Sequence, residues 1–281
     1  MSKDIQVYKD RYTTFKNYCL NNKQWLEQFP LPFITPGQKK ETVFIEFRNL
    51  EHNYFVIRNT IRVLGNGWSH TIVCGESNYS HMCEIRNKIG RAINIIKLDC
   101  HNMTRLKYSL LLLKSSFWEK FKGDFLLIYQ EDSIIFKDIP NFYFHYDFVG
   151  APFPNKTVGN GGLSLRNKHK MIEICNSHYD SFEDKFEKAR SFLEFQITTL
   201  ENRGIDYKKD NRFLFLYQIE KSILEDVLLC KYIHKLPSFL EAMEFSVEKH
   251  FFKTPIGGHQ FWYAINNVNY WLDINLKKIR P

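Results

Sequence analysis

Two adjacent carboxylates, Glu131 and Asp132, stand between two apolar runs in the stretch FLLIYQEDSIIF. Successive side chains of a strand point to opposite faces, so only one acid would face a ligand if the strand continued, and Asp132 is the better candidate. A carboxylate in this place can hold a hard divalent cation, Mg²⁺ or Mn²⁺, that it shares with substrate phosphates. The alternative is an ordinary structural acid that caps a helix or solvates a loop.

A glycine-rich stretch, VGNGGLSLR, contains Asn160, Gly161 and Gly162. Glycine allows positive φ and lets the backbone approach a ligand closely. One interpretation is a hairpin turn, for which Asn-Gly is an ordinary signal, and the other is a backbone wall against a substrate. The spacing fits neither GxGxxG nor GxxxxGK[ST], so it supports neither a dinucleotide site nor a P-loop.

A second acidic pair, Glu225 and Asp226, lies in the apolar and helical setting SILEDVLLCKY. Neighbouring helical positions diverge by about 100°, so at most one of these acids can point into a cleft. Shielding by apolar neighbours makes a carboxylate a stronger proton acceptor, which suits a general base. The alternative is a helix start, where acidic residues are favourable.

A histidine, His259, follows two glycines in TPIGGHQFW. The glycines leave its approach to a metal or a phosphate unobstructed. Most isolated histidines are not ligands, however, so a structural role is the alternative.

Strand-like and helical stretches alternate from Thr42 onwards, which predicts an α/β fold. Strands are predicted in TVFIEF, HTIVCG, INIIKLD and FLLIY, and helices in LEHNYFVIRNTIRVL, residues 79–90 and NMTRLKYSLLLLKSSFWEKF. Helices of this length favour parallel pairing through right-handed crossovers, and hence an open, doubly wound sheet. Ligands of such sheets bind outside the carboxyl ends of the strands, which is where FLLIY delivers Asp132.

The first 40 residues are predicted to be a helical extension followed by a linker. Scattered aromatic residues in residues 1–30 fit amphipathic helices, and the stretch FPLPFITPGQKK, with three prolines and a glycine, interrupts regular structure. Residues 41–281 are predicted to form one α/β domain.

The composition describes a folded protein of 281 residues with 44% apolar residues and a net charge of +8. The charge suits a phosphate-bearing partner, but it is dispersed along the chain, so no nucleic-acid partner is expected. Six cysteines occur singly, without metal-type spacing. Neither a signal peptide nor an apolar run of roughly 18 residues is found, so we expect a cytoplasmic protein without an integral membrane segment.

Taken together, several stretches of the sequence resemble the glycosyltransferases of the GT-A fold. The resemblance is strongest to domain-of-unknown-function family 5672, a glycosyltransferase-like family of microbes and giant DNA viruses. If the protein is viral, its expected location is the cytoplasm of the host. The matching stretches span about residues 42–265 in the family's order, and VGNGGLSLR is the most specific; they are YQEDS, YDFVGAPF, VGNGGLSLR, EDV, FSVE and GGHQFW. The resemblance implies a GT-A-like (Rossmann-like), mostly parallel sheet flanked by helices.

The resemblance also implies a metal site. Asp132 would be the acid of a DxD-like motif that holds the metal on the donor diphosphate, and His259 would be a late metal ligand. Gln130 stands where a strict DxD has an acid. This departure predicts either weaker metal binding or a contribution from Glu131.

Other positions receive roles from the resemblance alone. Asp226, with Glu225 beside it, would be the base that deprotonates the acceptor hydroxyl. The nucleotide would be bound at the end of the first strand by Glu46 and Arg48. The pocket for the donor sugar and the acceptor would be lined by the glycine-rich stretch, with Asn160, Gly161 and Gly162.

The implied function is metal-assisted transfer of a sugar from a nucleotide-diphosphate-sugar to a hydroxyl of a glycan, lipid or protein, with Mn²⁺ or Mg²⁺ as cofactor. One alternative is a catalytically silent glycan-binding, nucleotide-binding or structural protein that keeps the fold. A sugar nucleotidyltransferase is a weaker alternative, because it would need a glycine-rich basic loop after the first strand, where this chain has FIEFRNLEHN.

Overall fold

A computed structural model describes residues 3–205 and 213–277. The chain divides into two compact units. We call Met1–Asn102, Phe121–Lys168 and His234–Pro281 the sheet unit, and Met103–Lys120 with His169–Ile233 the helical unit. The predicted boundary at residue 40, between an N-terminal extension and one α/β domain, stays a prediction. Residues 1–2, 206–212 and 278–281, which belong to these two predicted segments, lie outside the described residues.

Two sheets form in the sheet unit. The strands in chain order are β1 (Lys40–Ile45), β2 (Trp68–Cys74), β3 (Asn94–Lys97), β4 (Phe125–Tyr129), β5 (Ser133–Ile135), β6 (Phe148–Gly150), β7 (Leu163–Asn167), β8 (Ser246–Val247) and β9 (Gly257–His259). The main sheet has the order β3-β2-β1-β4-β7-β6, and the small sheet has the order β5-β9-β8. In the main sheet, β1 is parallel to β2 and β4, and β2 is parallel to β3. β7 is antiparallel to β4 and β6.

The helices are α1 (Lys3–Asn21), α2 (Lys23–Glu27), α3 (Asn53–Leu64), α4 (Tyr79–Ile89), α5 (Arg105–Leu112), α6 (Ser115–Trp118), α7 (Lys168–Glu201), α8 (Phe213–Ser222), α9 (Glu225–Cys230), α10 (Phe239–Phe245) and α11 (Val268–Lys277). Short 3₁₀ helices lie at Asn141–His145 and Phe261–Tyr263. The predicted fold class, a mostly parallel α/β sheet flanked by helices with helices at the N-terminus, is confirmed.

The stretch NMTRLKYSLLLLKSSFWEKF was predicted as one long helix, and this prediction is wrong. α5 ends at Leu112, and α6 begins after Lys114, which has extended backbone (φ −97°, ψ 128°). The interruption leaves the Leu112 carbonyl without its helical donor, and the buried Trp118 indole donates to that oxygen at 2.8 Å. A local side-chain hydrogen bond thus replaces a helical one, which the apolar pattern of the stretch does not reveal.

The order of the main sheet reverses between β1 and β4. After β1 the chain passes through α3 to β2 and through α4 to β3 on one side, and it then returns to β4 on the other side. β2 is buried along its whole length and β4 at all residues but the first, as expected for parallel strands covered on both faces. Glu46 and Gln130 are the first residues after β1 and β4, so the predicted ligand edge lies at the switch point of the sheet.

A buried histidine within β2 makes the sheet unit sensitive to acid. The Nδ1 atom of His70 lies 2.8 Å from Thr42 Oγ1 on β1. Burial lowers the pKa of His70 from its ordinary 6.5 to about 3. Below about pH 6.5 the unfolded chain therefore binds a proton at His70 that the folded chain does not bind. The free energy of unfolding thus decreases as the pH is lowered from about 6.5 to 3.

We expect the change His70→Gln to flatten this dependence. Between pH 7 and pH 5.5, the free energy of unfolding of the unchanged protein should fall by about 1 kcal/mol more than that of the variant. Denaturant unfolding at the two pH values measures this difference. His101→Gln, at an exposed position, is the control and should behave like the unchanged protein. Equal pH slopes for His70→Gln and the control would contradict this assignment.

Candidate functional site

Asp132 and His259 meet at the edge of the small sheet. Asp132 lies in the turn between β4 and β5, and His259 is the last residue of β9. Ser133 pairs with His259 across the antiparallel strands, which brings the residue before Ser133 next to the imidazole. The distance from Asp132 Oδ1 to His259 Nε2 is 3.4 Å, and both side chains are buried. Two residues far apart in sequence therefore share one polar site.

The facing atoms of this pair lack hydrogen-bond partners. Among the described residues, no partner is found for Asp132 Oδ1 or for His259 Nε2, although both atoms are buried. The opposite edges of the two side chains are held, because Gln260 Nε2 donates to Asp132 Oδ2 at 2.8 Å and His259 Nδ1 lies 3.1 Å from Glu248 Oε2. The two atoms attract each other as an ion pair at 3.4 Å but form no hydrogen bond, so the pair indicates a place prepared for a ligand.

The two side chains shift each other's pKa. Burial raises the pKa of Asp132, but the nearby His259 imidazolium and the Gln260 amide outweigh burial, so the pKa lies below its ordinary value. Burial lowers the pKa of His259, but the Asp132 and Glu248 carboxylates outweigh it and raise the pKa to about 10. Without a ligand, the pair is therefore a carboxylate facing an imidazolium.

The Asp132 and His259 side chains fit a divalent cation as two of its ligands. Adjacent ligands of an octahedral ion, each about 2.1 Å from the metal, lie about 3 Å apart, close to the 3.4 Å between Asp132 Oδ1 and His259 Nε2. Within residues 3–205 and 213–277, no cluster of three or more His, Cys, Asp or Glu side chains is arranged for a metal. An ion here would take its remaining ligands from water or from substrate oxygens, as Mg²⁺ commonly does.

Gly162 forms a wall against His259. A Cβ atom at Gly162 would overlap the His259 ring, so only glycine fits here. Asn160 Oδ1 accepts from the Gly162 N–H at 3.1 Å, and Ser133 Oγ donates to the Gly162 carbonyl at 3.3 Å. Of the two interpretations of this stretch, close backbone approach describes Gly162, and the partner it approaches is His259.

The Gly161 carbonyl is fixed from the neighbouring strand. It accepts from Ser164 Oγ at 3.0 Å and from the buried Arg166 Nη2 at 3.3 Å. The glycines do not form a two-residue hairpin turn, because β6 ends at Gly150 and β7 begins at Leu163. Positive φ in the loop occurs at Lys156, at 68°, and at Gly159, at 134°.

Glu131 takes a different set of partners from Asp132, although both lie in the turn after β4 and not in a continued strand. Tyr12 donates its hydroxyl to both carboxylate oxygens, at 2.8 and 2.9 Å. His52 Nε2 lies 2.7 Å from Oε2, and Arg48 Nη2 donates to Oε1 at 3.0 Å. The carboxylate is thus directed to these three side chains and away from the pair of Asp132 and His259.

Glu46 and Arg48 bind each other at the carboxyl end of β1. Arg48 Nε and Nη2 donate to the two Glu46 oxygens at 2.8 and 2.7 Å, a bidentate pair. Its hydrogen bond with Glu46 raises the pKa of Arg48 above its ordinary value, more than burial lowers it. Because the Arg48 side chain is 51% exposed, its guanidinium is a fixed cation that an anionic ligand can reach.

Glu225 and Asp226 belong to the helical unit, where they are the first two residues of α9. Both are buried. Ser109 Oγ donates to Glu225 Oε2 at 3.2 Å, and Asp226 Oδ1 accepts from the Val227 N–H at 2.8 Å. The alternative of a helix start describes their position, and the role of Asp226 as a base stays a prediction.

Three further residues hold the site and received no role from the sequence: Tyr12, Glu248 and Gln260. Glu248 lies in FSVE, one of the matching stretches, so that motif could have suggested it. Gln260 has a left-handed backbone (φ 45°), which is unusual without glycine and carries strain. Tyr12 carries no local signal, because its contact with Glu131 spans 119 positions.

The chain is an α/β protein whose candidate site lies at the carboxyl ends of its parallel strands. A family model described as "Protein of unknown function (DUF5672)" matches residues 92–259. The chain belongs to this family, as its motifs predicted. The match begins later than the predicted start near residue 42 and ends on His259.

Solved structures of a glycosyltransferase, GlyE from Streptococcus pneumoniae TIGR4, are similar to part of the chain. One has a TM-score of 0.38 and 14% identity over 53% of this chain and 40% of that chain. The apo form has a TM-score of 0.39 and 14% identity over 52% of this chain and 39% of that chain. The chain therefore matches less than half the length of these proteins. No curated protein matches the chain.

None of the helices within residues 3–205 and 213–277 is both long and apolar enough to cross a bilayer.

We expect Gly162→Ala to disturb the site because the new methyl group would push against the His259 ring. The overlap should cost about 1–3 kcal/mol in the free energy of unfolding, measured by denaturant titration. Gly90→Ala is the matched control, since its Cβ would meet only the end of the Ile34 side chain, at 3.2 Å. If the two variants were equally stable, the close packing of Gly162 on His259 would be wrong.

Proposed function

We propose that the protein is a metal-assisted glycosyltransferase that moves a sugar from a nucleotide-diphosphate-sugar to a hydroxyl acceptor. The observation that carries this proposal is the buried pair of Asp132 Oδ1 and His259 Nε2, two facing atoms without hydrogen-bond partners among the described residues. The pair follows β4 next to the switch point of the sheet, where ligands of open α/β sheets bind.

The arrangement of the ligand edge supports a donor that carries phosphates. Arg48 presents a half-exposed guanidinium at the end of β1 and is held there by two carboxylates, those of Glu46 and Glu131. A planar guanidinium matches phosphate oxygens. In this proposal Arg48 binds the diphosphate or the nucleotide, and Glu46 orients Arg48.

The cation is proposed to be Mn²⁺ or Mg²⁺, held by Asp132 and His259. Its chemistry would be to stabilise the charge that accumulates on the leaving nucleoside diphosphate. Glu248 would keep its contact with His259 Nδ1, so that Nε2 faces the ion, as outer-shell carboxylates do in metal sites. Asn160, Gly161 and Gly162 are proposed to line the pocket of the donor sugar and the acceptor.

The base is proposed to be Asp226, with Glu225 as its neighbour. The support is the position of EDV in the matching family and the burial of both acids at the start of α9. A base must accept the acceptor proton as the new glycosidic bond forms. The acceptor is a glycan, a lipid or a protein hydroxyl.

A second candidate function is nucleotide or glycan binding without catalysis. Gln130 favours it, because this residue stands where a strict DxD has an acid. A screen of nucleotide-sugars for Mn²⁺-dependent hydrolysis separates the two. Hydrolysis of one donor supports the transferase, whereas metal-dependent stabilisation by nucleoside diphosphates without turnover supports the silent protein.

We expect Asp132→Asn and His259→Ala each to abolish the metal-dependent part of nucleotide binding. The amide lacks the charge, and alanine lacks the nitrogen, that a cation needs. Titration of a nucleoside diphosphate with and without Mn²⁺ measures this loss by calorimetry. Asp184→Asn, which removes an exposed carboxylate of the helical unit, is the control. Unchanged metal dependence in both site variants would refute the cation site.

Asp226→Asn should separate chemistry from binding. We expect the rate of sugar transfer to fall by about 10²–10⁴-fold, as is typical on removal of a general base, while Mn²⁺-dependent binding of the nucleoside diphosphate is kept. Transfer assays with a responsive donor and acceptor measure the rate, and Asp184→Asn again serves as control. Normal transfer by Asp226→Asn would assign the base elsewhere.

A further inference from the structure

Two neighbouring residues of α1 contact the two segments that carry the candidate metal ligands. Tyr12 donates to Glu131, the residue before Asp132. Arg11 Nη1 donates to the carbonyl of Trp262, three residues after His259, at 2.8 Å. The Asp132 turn and the segment after His259 are thus both hydrogen-bonded to one turn of α1. This helix precedes the family match at residues 92–259.

The Tyr12 contact fixes more than one group. Glu131 accepts from Tyr12, from Arg48 and from His52, which lies at the start of α3, so its carboxylate joins three elements. Tyr12 is the donor of this set that reaches both carboxylate oxygens. Hydrogen bonds to a charged group are stronger and more directional than neutral ones. The orientation of Glu131, and with it the turn that carries Asp132, depends on this hydroxyl.

The Arg11 contact is matched by packing. The second guanidinium nitrogen of Arg11, Nη2, donates to Asn266 Oδ1 at 2.8 Å. One turn along α1, the fully buried Phe15 packs on Phe261 and Trp262, with ring centroids 5.5 and 5.6 Å apart. The segment that follows His259 is therefore held by α1 through its backbone and through its aromatic side chains.

We infer that α1 is a positioning element of the candidate site, in which Tyr12 and Arg11 hold the Asp132 turn and the His259 segment at their mutual distance. Neither residue touches the facing atoms of the pair. Their effect is indirect, because a small displacement of either segment changes the 3.4 Å separation that suits a cation. The consequence for ligand binding rests on the proposed function, whereas the local ordering does not.

The test compares Tyr12→Phe and Arg11→Gln with Tyr8→Phe. Tyr8 lies on the same helix and packs on Tyr263 through its ring, which phenylalanine keeps. Amide hydrogen exchange without any ligand is measured over the whole chain, and calorimetry gives the affinity for UDP and GDP with Mn²⁺. These measurements separate local ordering from ligand affinity.

In Tyr12→Phe, exchange at residues 130–134 should accelerate about tenfold, because a hydrogen bond to a charged group is lost. In Arg11→Gln, residues 260–266 should respond in the same way, while amides of β1, β2 and β3 keep their rates in both variants. Tyr8→Phe should exchange like the unchanged protein. The Mn²⁺-dependent affinity for the nucleoside diphosphate should fall about tenfold in Tyr12→Phe.

Two results would overturn the inference. Unchanged exchange at residues 130–134 in Tyr12→Phe would mean that the hydroxyl does not order the turn. A uniform increase across the sheet unit would mean that α1 contributes only to overall stability. If the unchanged protein bound no nucleoside diphosphate, the proposed function would fail, and the exchange pattern would still decide the role of α1.

Discussion

The facing atoms of Asp132 and His259 are the constraint on which the rest of the site depends. Both atoms are buried, and among the described residues neither has a hydrogen-bond partner. A fold keeps such a pair only if the surrounding contacts prevent both side chains from turning to other partners. Gln260 and Glu248 occupy the opposite edges of the two groups, and the absent side chain of Gly162 leaves room for the imidazole. Strain at Gln260, with its left-handed backbone, is part of this arrangement.

The two acids of QEDS have separate tasks because they project from consecutive positions at the end of β4. Asp132 faces His259, and Glu131 faces α1, the end of β1 and the start of α3. Arg48 lies between Glu46 and Glu131 and neutralises part of their charge, while half of its side chain stays exposed. A carboxylate that is shared by three donors cannot also turn to a cation without losing them. Glu131 therefore organises the edge of the sheet, and under the proposed function the cation would be left to Asp132.

The sequence predicts the strands β1 to β4 well, because apolar runs and their spacing are local features. Contacts across long stretches of chain are the part that it does not predict. The partnership of Asp132 with His259 came from a resemblance to a family and not from spacing, and Tyr12 was absent from the expected site. Close backbone approach is one of the two interpretations that the sequence allows for Gly162, but the partner in that approach depends on the antiparallel pairing of β5 with β9. The break between α5 and α6 was missed for a different reason: the apolar pattern continues through it, and a side-chain hydrogen bond from Trp118 to the Leu112 carbonyl replaces the helical one.

The number of protein ligands sets how a cation would bind under the proposed function. Asp132 and His259 supply one oxygen and one nitrogen, and within the described residues no third side chain of the usual kind joins them. An octahedral ion then needs about four further ligands, which water or phosphate oxygens must provide. Asp132 supplies only one negative charge, and a nucleoside diphosphate adds more. Under the proposed function, the site would therefore bind the ion more tightly with a nucleoside diphosphate than without it. Under the proposed function, cation and nucleotide would thereby be coupled in binding: each would increase the affinity for the other by the same factor.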